Sequence, residues 1–506
     1  MRIDRLARLT AAAAALALLL VVTACGSTVQ NGPTRATAVP QSGLTAPGSA
    51  SSAAGSGPGL TAPTVGGGSQ AGRLNATIGG GGNGAGQLGT GGNGGNARSN
   101  AGSATTGPIR VGFMYANNDA AATAGVNNGT TITPANVMRA LVASYNASGG
   151  LAGHKIQPFY QVINSSSSNF EGDLAAACAS FTQDNHVAVV VNNVGLYSEN
   201  FQACLANAHV PVVSDLGPDI EDAQKFPLMV TPDDLLADTR VTQVVLKLKA
   251  SGWLTPSNRI GVIVEGCPVD QRIFTNTLKP AIARAGLNLV ASAQPQCFQA
   301  IQDLGTISSD MGDAVLNFRT NNVDRVMFVS LGEEGTLCYE FMLAAGQQNW
   351  YPGYAMSSMT YATTIALQSG VKQQELENSR GIGWNPEADT QDLRQAPPDA
   401  AAKRCIVRLN QQGLHPATEN DLFYAYPPCD DFALLARILQ ATGGDLAPSA
   451  FLRGLGPAEV GFQSALSIEG SATTWDRGRL GPGAFRYFAY NTTKSQFLYT
   501  SNPTNF

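Results

Sequence analysis

Charge is scarce in this chain: only 13% of its 506 residues are Asp, Glu, Lys or Arg, and 31 basic against 36 acidic side chains leave a formal net charge of −5. Without a basic surplus there is no electrostatic footprint for a phosphate backbone, which argues against nucleic acid as a partner. Histidine is scarcer still, with four residues scattered at 154, 186, 209 and 415, and the eight cysteines never fall as C-x-x-C. The spacing of structural zinc sites is therefore missing, and no metal or other cofactor is expected. There is no G-x-S-x-G elbow, P-loop or HExxH pair. A hydrolase would have to build its triad from those four histidines, and the chain is read as a non-enzyme. Long apolar runs are also missing: the one near the start, Thr10 to Val22, is too short for a bilayer core that needs about 20 residues.

That short run sits in an informative place. Arg2, Arg5 and Arg8 precede it and Thr23-Ala24-Cys25-Gly26 follows, the charged, apolar and small-residue order of a secretory leader over residues 1–24. Val22-Thr23-Ala24-Cys25 resembles a bacterial lipobox, which implies cleavage before Cys25 and a lipid on its sulfur. The mature chain is then expected outside the cytoplasm, held to the bilayer by its acyl chains. Residues 25–107 continue as Gly, Ser, Ala, Thr, Pro and Asn with almost no bulky side chains, for example GGGGNGAGQLGTGGNGGN. Such composition cannot offset its ordering entropy, so it predicts a disordered tether of roughly 50 Å r.m.s. span.

From Ile109 the texture changes. IRVGFMY, KIQPFYQVI, VAVVV, PVVSDL, RIGVIVE, LNLVASA, RVMFVSL and YPGYAMS are short apolar strands separated by amphipathic segments. In the first helix Thr133-Pro134 forms the N-cap and first turn, Met138, Leu141, Val142 and Tyr145 share a face, and Gly149-Gly150 stops it. Strands alternating with helices mean βαβ units and parallel sheets; two such series predict two α/β lobes.

Asn146-Ala147-Ser148-Gly149-Gly150-Leu151-Ala152-Gly153-His154-Lys155-Ile156, at the join of first helix and second strand, resembles the N-x-x-G-G-I-x-G-x-x-I signature of type I periplasmic binding proteins, the Leu/Ile/Val-binding branch of extracellular solute-binding receptors. The resemblance covers most of 109–385 in element order and fades beyond. It departs after the first strand, where Tyr115-Ala116-Asn117-Asn118-Asp119 replaces the usual Gly-Pro-rich loop. It implies two Rossmann-like lobes joined by three crossover strands, lobe one from 109–228 plus 387–460 and lobe two from 232–384 plus 466–506. It also implies a monomer that captures a small polar solute, an amino acid or related compound, by hinge closure and hands it to an ABC permease. A sensor of the same fold that signals to a membrane partner is the alternative.

In open α/β sheets the crevice lies at the carboxyl ends of the strands. That rule selects Tyr115, Asn117, Asn193, Tyr197, Ser198, Ser214 and Asp215 on lobe one, and Glu265, Asp270, Glu333, Ser357 and Tyr361 on lobe two. For a zwitterion, Asn193, Ser198 and Ser214 suit a carboxylate, and Asp215, Glu265 or Glu333 an ammonium; Tyr115, Tyr197 and Tyr361 suit apolar walls. Each position equally suits a residue that caps the next helix. Seven cysteines remain after Cys25. The resemblance and the shared faces of consecutive helices pair Cys178 with Cys204; Cys267 with Cys297 and Cys405 with Cys429 follow, leaving Cys338 single.

Overall fold

The computed structural model describes residues 107–117, 130–164, 167–368, 370–468 and 481–506. The leader, Cys25, the tether before residue 107, and Asn118 and Asp119 lie outside them. The first sheet holds β1 (Ile109–Asn117), β2 (Ile156–Asn164), β3 (Val189–Asn193), β4 (Val212–Ser214) and β5 (Met229–Val230), in the order β2-β1-β3-β4-β5. All its pairings are parallel. The glycine-rich join explains itself here: Asn146 both donates to the Ile156 carbonyl (3.0 Å) and accepts from the Ile156 N–H (2.7 Å), pinning the end of helix Pro134–Ala147 to the start of β2. Between them Gly149 and Gly150 adopt φ of 106° and 92°, a region that costs other residues dearly.

The second sheet has eight strands: β6 (Arg259–Val264), β7 (Asn288–Ala293), β8 (Arg325–Val329), β9 (Gly353–Ser357), β10 (Arg380–Gly383), β11 (Ala484–Asn491), β12 (Gln496–Tyr499) and β13 (Thr504–Asn505). Strands β6 to β10 are parallel, but β11, β12 and β13 run antiparallel. For β11 and β12 the reason is the short link after Asn491, since only an antiparallel partner is reachable through a tight turn.

Apolar residues cover both faces of both sheets. One core joins Val111, Phe113, Val189 and Val213 to helices Ala400–Asn410, Glu419–Thr442 and Pro448–Glu459, so late chain returns to the first sheet. Phe432 from the long helix stacks on Phe113 (5.2 Å between ring centroids) and Tyr145 (5.3 Å). Disulfides join Cys178 to Cys204, Cys267 to Cys297 and Cys405 to Cys429, and Cys338 is a buried thiol. The first closes a loop of 26 residues, worth about 3.5 kcal/mol in the chain-entropy picture.

Candidate functional site

The carboxyl ends of the two sheets meet. After β3 and β8 the loops touch so closely that a Cβ on Gly332 would lie 2.6 Å from the Gly195 carbonyl oxygen. Arg272, on the helix Pro268–Ile273 after β6, places Nε 2.6 Å from Asp219 and Nη2 3.1 Å from Asp222, both beyond β4. Tyr361, after β9, packs its ring edge-on against Phe423 of the long helix, with 5.0 Å between centroids. Tyr361 holds φ of 52°, a left-handed conformation that costs a non-glycine residue about 1–2 kcal/mol and that its packing must sustain.

The wall where the first sheet ends is acidic. Asn193, at the end of β3, donates 2.7 Å to Asp431 Oδ2, which comes from helix Glu419–Thr442. Asp215 follows β4, and Asp233 and Asp234 follow β5. Asp431 and Asp233 are 0% and 3% exposed. Asp215 Oδ1, Asp233 Oδ2, Asp431 Oδ1, Asn193 Oδ1 and the Tyr115 hydroxyl have no hydrogen-bond partner among the described residues. Burial, reinforced by Asp234, pushes the Asp215 carboxyl up to about 7. Burial raises Asp233 and Asp431 well above the usual carboxylate range, and the neighbouring aspartates raise them further.

On lobe two, Glu333 is half-buried, accepts 2.6 Å from the Thr336 hydroxyl, and is pushed up by burial to about 8. Glu265 accepts from the Phe298 N–H at 2.7 Å, and Asp270 keeps Oδ1 unpartnered. Arg240 is spoken for: it lies 3.2 Å from Asp234 and 3.6 Å from Glu334, and donates to the Ser330 carbonyl at 2.8 Å.

The strand-end rule thus places Tyr115, Asn193, Asp215, Glu333 and Tyr361 around the junction, and Glu265 and Asp270 beside it. The hydroxyls are engaged elsewhere. Ser198 caps its helix through the Phe201 N–H (3.2 Å) and donates to Glu171; Ser214 lies within 3.4 Å of both the Asn192 amide and the Leu216 N–H. Ser357 accepts from the Met359 N–H (3.1 Å) and donates to Glu334 (2.9 Å), while Tyr197 donates to Asp222 at 2.7 Å. Asn117 closes β1, half-buried. Sequence reasoning missed Asp233, Asp431, Arg240, Arg272 and Phe423. The same rule reaches Asp233, but β5 has two residues, too few to show a pattern. Asp431 has no local signal, because 238 positions separate it from Asn193.

No family model and no curated protein matches the sequence. Solved structures do. A solute-binding protein of an ABC transporter from R. palustris, in complex with 4-hydroxybenzoate, superposes with a TM-score of 0.56 at 12% identity, covering 79% of this chain and 97% of its own. An ABC transporter substrate-binding protein from Desulfitobacterium hafniense in complex with Leu gives 0.51 at 14%, covering 78% and 99%. A leucine-binding protein from Thermotoga maritima gives 0.52 at 12%, covering 78% and 99%. Likeness at such identities carries architecture alone, and by that measure the chain has the two-lobed fold of the type I periplasmic binding proteins.

Proposed function

We propose that the protein is a lipid-anchored, extracytoplasmic solute-binding protein that closes its two lobes on a small polar solute and delivers it to an ABC importer. The observation that carries this reading is the meeting of two strand-end surfaces over buried polar atoms without partners among the described residues. A solute touching both walls binds the closed arrangement better than the open one, and that difference is the whole activity; no bond is made or broken. Lobe one is assigned 109–228 with 387–460, lobe two 232–384 with 466–506, and Cys25 the anchor. No helix among the described residues is long and apolar enough to cross a membrane.

A thermal-shift screen of amino acids, amides, aromatic acids and amines tests capture, because a native-state ligand raises the melting temperature by mass action. A flat response throughout the screen would refute it. Gly332→Ala is expected to weaken the solute that scores by about tenfold, since the new methyl meets the Gly195 carbonyl only when the lobes are shut. Unchanged affinity in isothermal titration would mean the lobes do not close here. Cys25→Ala is expected to release the protein from membranes into the medium, and retention on membranes would refute the anchor.

A further inference from the structure

Building on the capture reading, we propose that the solute bears an organic cation, a primary ammonium or guanidinium group, seated on the acidic wall formed by Asp215, Asp233 and Asp431. Each of these carboxylates keeps one buried oxygen without a partner among the described residues. Among the described residues none of them is ion-paired with a basic side chain, and the leading charges on Asp233 and Asp431 are other aspartates. Arg240, the nearby guanidinium, is taken by Asp234 and Glu334. Asp430 is satisfied by the Ser464 hydroxyl (2.6 Å) and the N–H groups of Ala465 (2.6 Å) and Leu466 (3.2 Å), which leaves the other three as the unanswered set.

A neutral group points the same way. Tyr115 is 2% exposed and its hydroxyl has no partner among the described residues. It lies in register with Asn193 on the neighbouring parallel strand, so the two side chains share one face, and Asn193 reaches Asp431. The Tyr115 and Asn193 oxygens are acceptors on the same wall, suited to N–H donors. A carboxylate-bearing head group would instead meet three buried carboxylates, and Ser198 and Ser214, the hydroxyls suited to it, are engaged within the protein.

Spacing separates an organic cation from a metal ion. Among the described residues, the one group of three or more His, Cys, Asp or Glu side chains with ligand atoms gathered within 4.8 Å is Glu265, Cys267 and Cys297, on lobe two, where the two cysteines are joined as a disulfide. The three aspartates do not converge that tightly. An ammonium with three donors, or a guanidinium with five in a plane, can serve such dispersed acceptors.

The test is isothermal titration of the full chain with 1,4-diaminobutane and agmatine, set against leucine, 4-hydroxybenzoate and magnesium chloride. The expected result is binding of at least one amine, weakened roughly 100-fold by Asp431→Asn and by Asp215→Asn. Melting curves without ligand should show both variants folded, since each replaces an unanswered buried acid by its neutral isostere. Binding of 4-hydroxybenzoate, or of leucine with an affinity unchanged by Asp431→Asn and by Asp215→Asn, while both amines stay silent would overturn the cation class and leave capture standing. Silence of all probes would also overturn it, with capture then judged by the wider thermal screen. Amine binding undiminished in both variants would place the cation elsewhere, and magnesium binding lost in Asp431→Asn would replace the organic cation by a metal.

Discussion

The unliganded protein is expected to unfold several degrees higher at pH 5 than at pH 8.5, against the common pattern in which paired carboxylates favour neutral pH. Burial pushes Asp215 and Asp389 up to about 7, and Glu333 and Glu387 to about 8. Asp389 shows how such a group is held: it accepts from the Tyr499 hydroxyl (2.8 Å), the Ser358 hydroxyl (3.1 Å) and the Asn385 N–H (3.0 Å), yet burial outweighs them. In the unfolded chain these groups titrate near 4. Between about pH 4 and pH 8 the folded state therefore holds more protons, so stability is greatest below that window and falls as pH rises through it. A tenfold change in proton affinity is worth about 1.4 kcal/mol, and counting one tenfold for each of the four gives roughly 5 kcal/mol. Calorimetry at fixed ionic strength measures it; a melting temperature flat or rising from pH 5 to 8.5 would refute the account.

Arg272→Ala is expected to open the molecule. Arg272 is the cation between the lobes that faces Asp219 and Asp222, 3% and 0% exposed in their side chains, with Glu199 and Glu221 at the rim. Removing it leaves two buried carboxylates without an answering charge, a loss of about 3–5 kcal/mol when one partner of a buried pair goes. The open arrangement returns them to water, so the loss falls on closure more than on folding. A bias of about 3 kcal/mol reduces solute affinity by roughly 100-fold when the closed state is the binding-competent one. Small-angle scattering should show a larger radius of gyration for the variant without solute, together with the weakened titration. An unchanged radius with unchanged affinity would demote the contact to surface decoration.

Much of the architecture was legible because it is local. Alternating apolar strands and amphipathic helices declare parallel α/β units, and the Asn146 to Ile156 join declares a specific strand entry through one side chain that bonds both ways. The pairing of Cys178 with Cys204 was similarly readable, since each shares its helical face with core residues such as Leu174 and Leu205. The strand-end rule reached Asp215 and Glu333, whose acids border the junction. It could not tell them from Ser198 or Ser357, which stand at equivalent positions and are used up as helix caps.

The amino-acid order alone determined two α/β lobes and the strand ends that border their junction, because periodicity and strand direction are properties of short segments. Only the tertiary structure decided the chemistry of those surfaces. Asp431 reaches Asn193 by the chain's late return to the first sheet, and Arg240 is neutralised by Glu334, 94 positions away in sequence. Whether a carboxylate is answered or left unpaired depends on which distant groups packing brings within a few ångströms of it, and no local pattern encodes that.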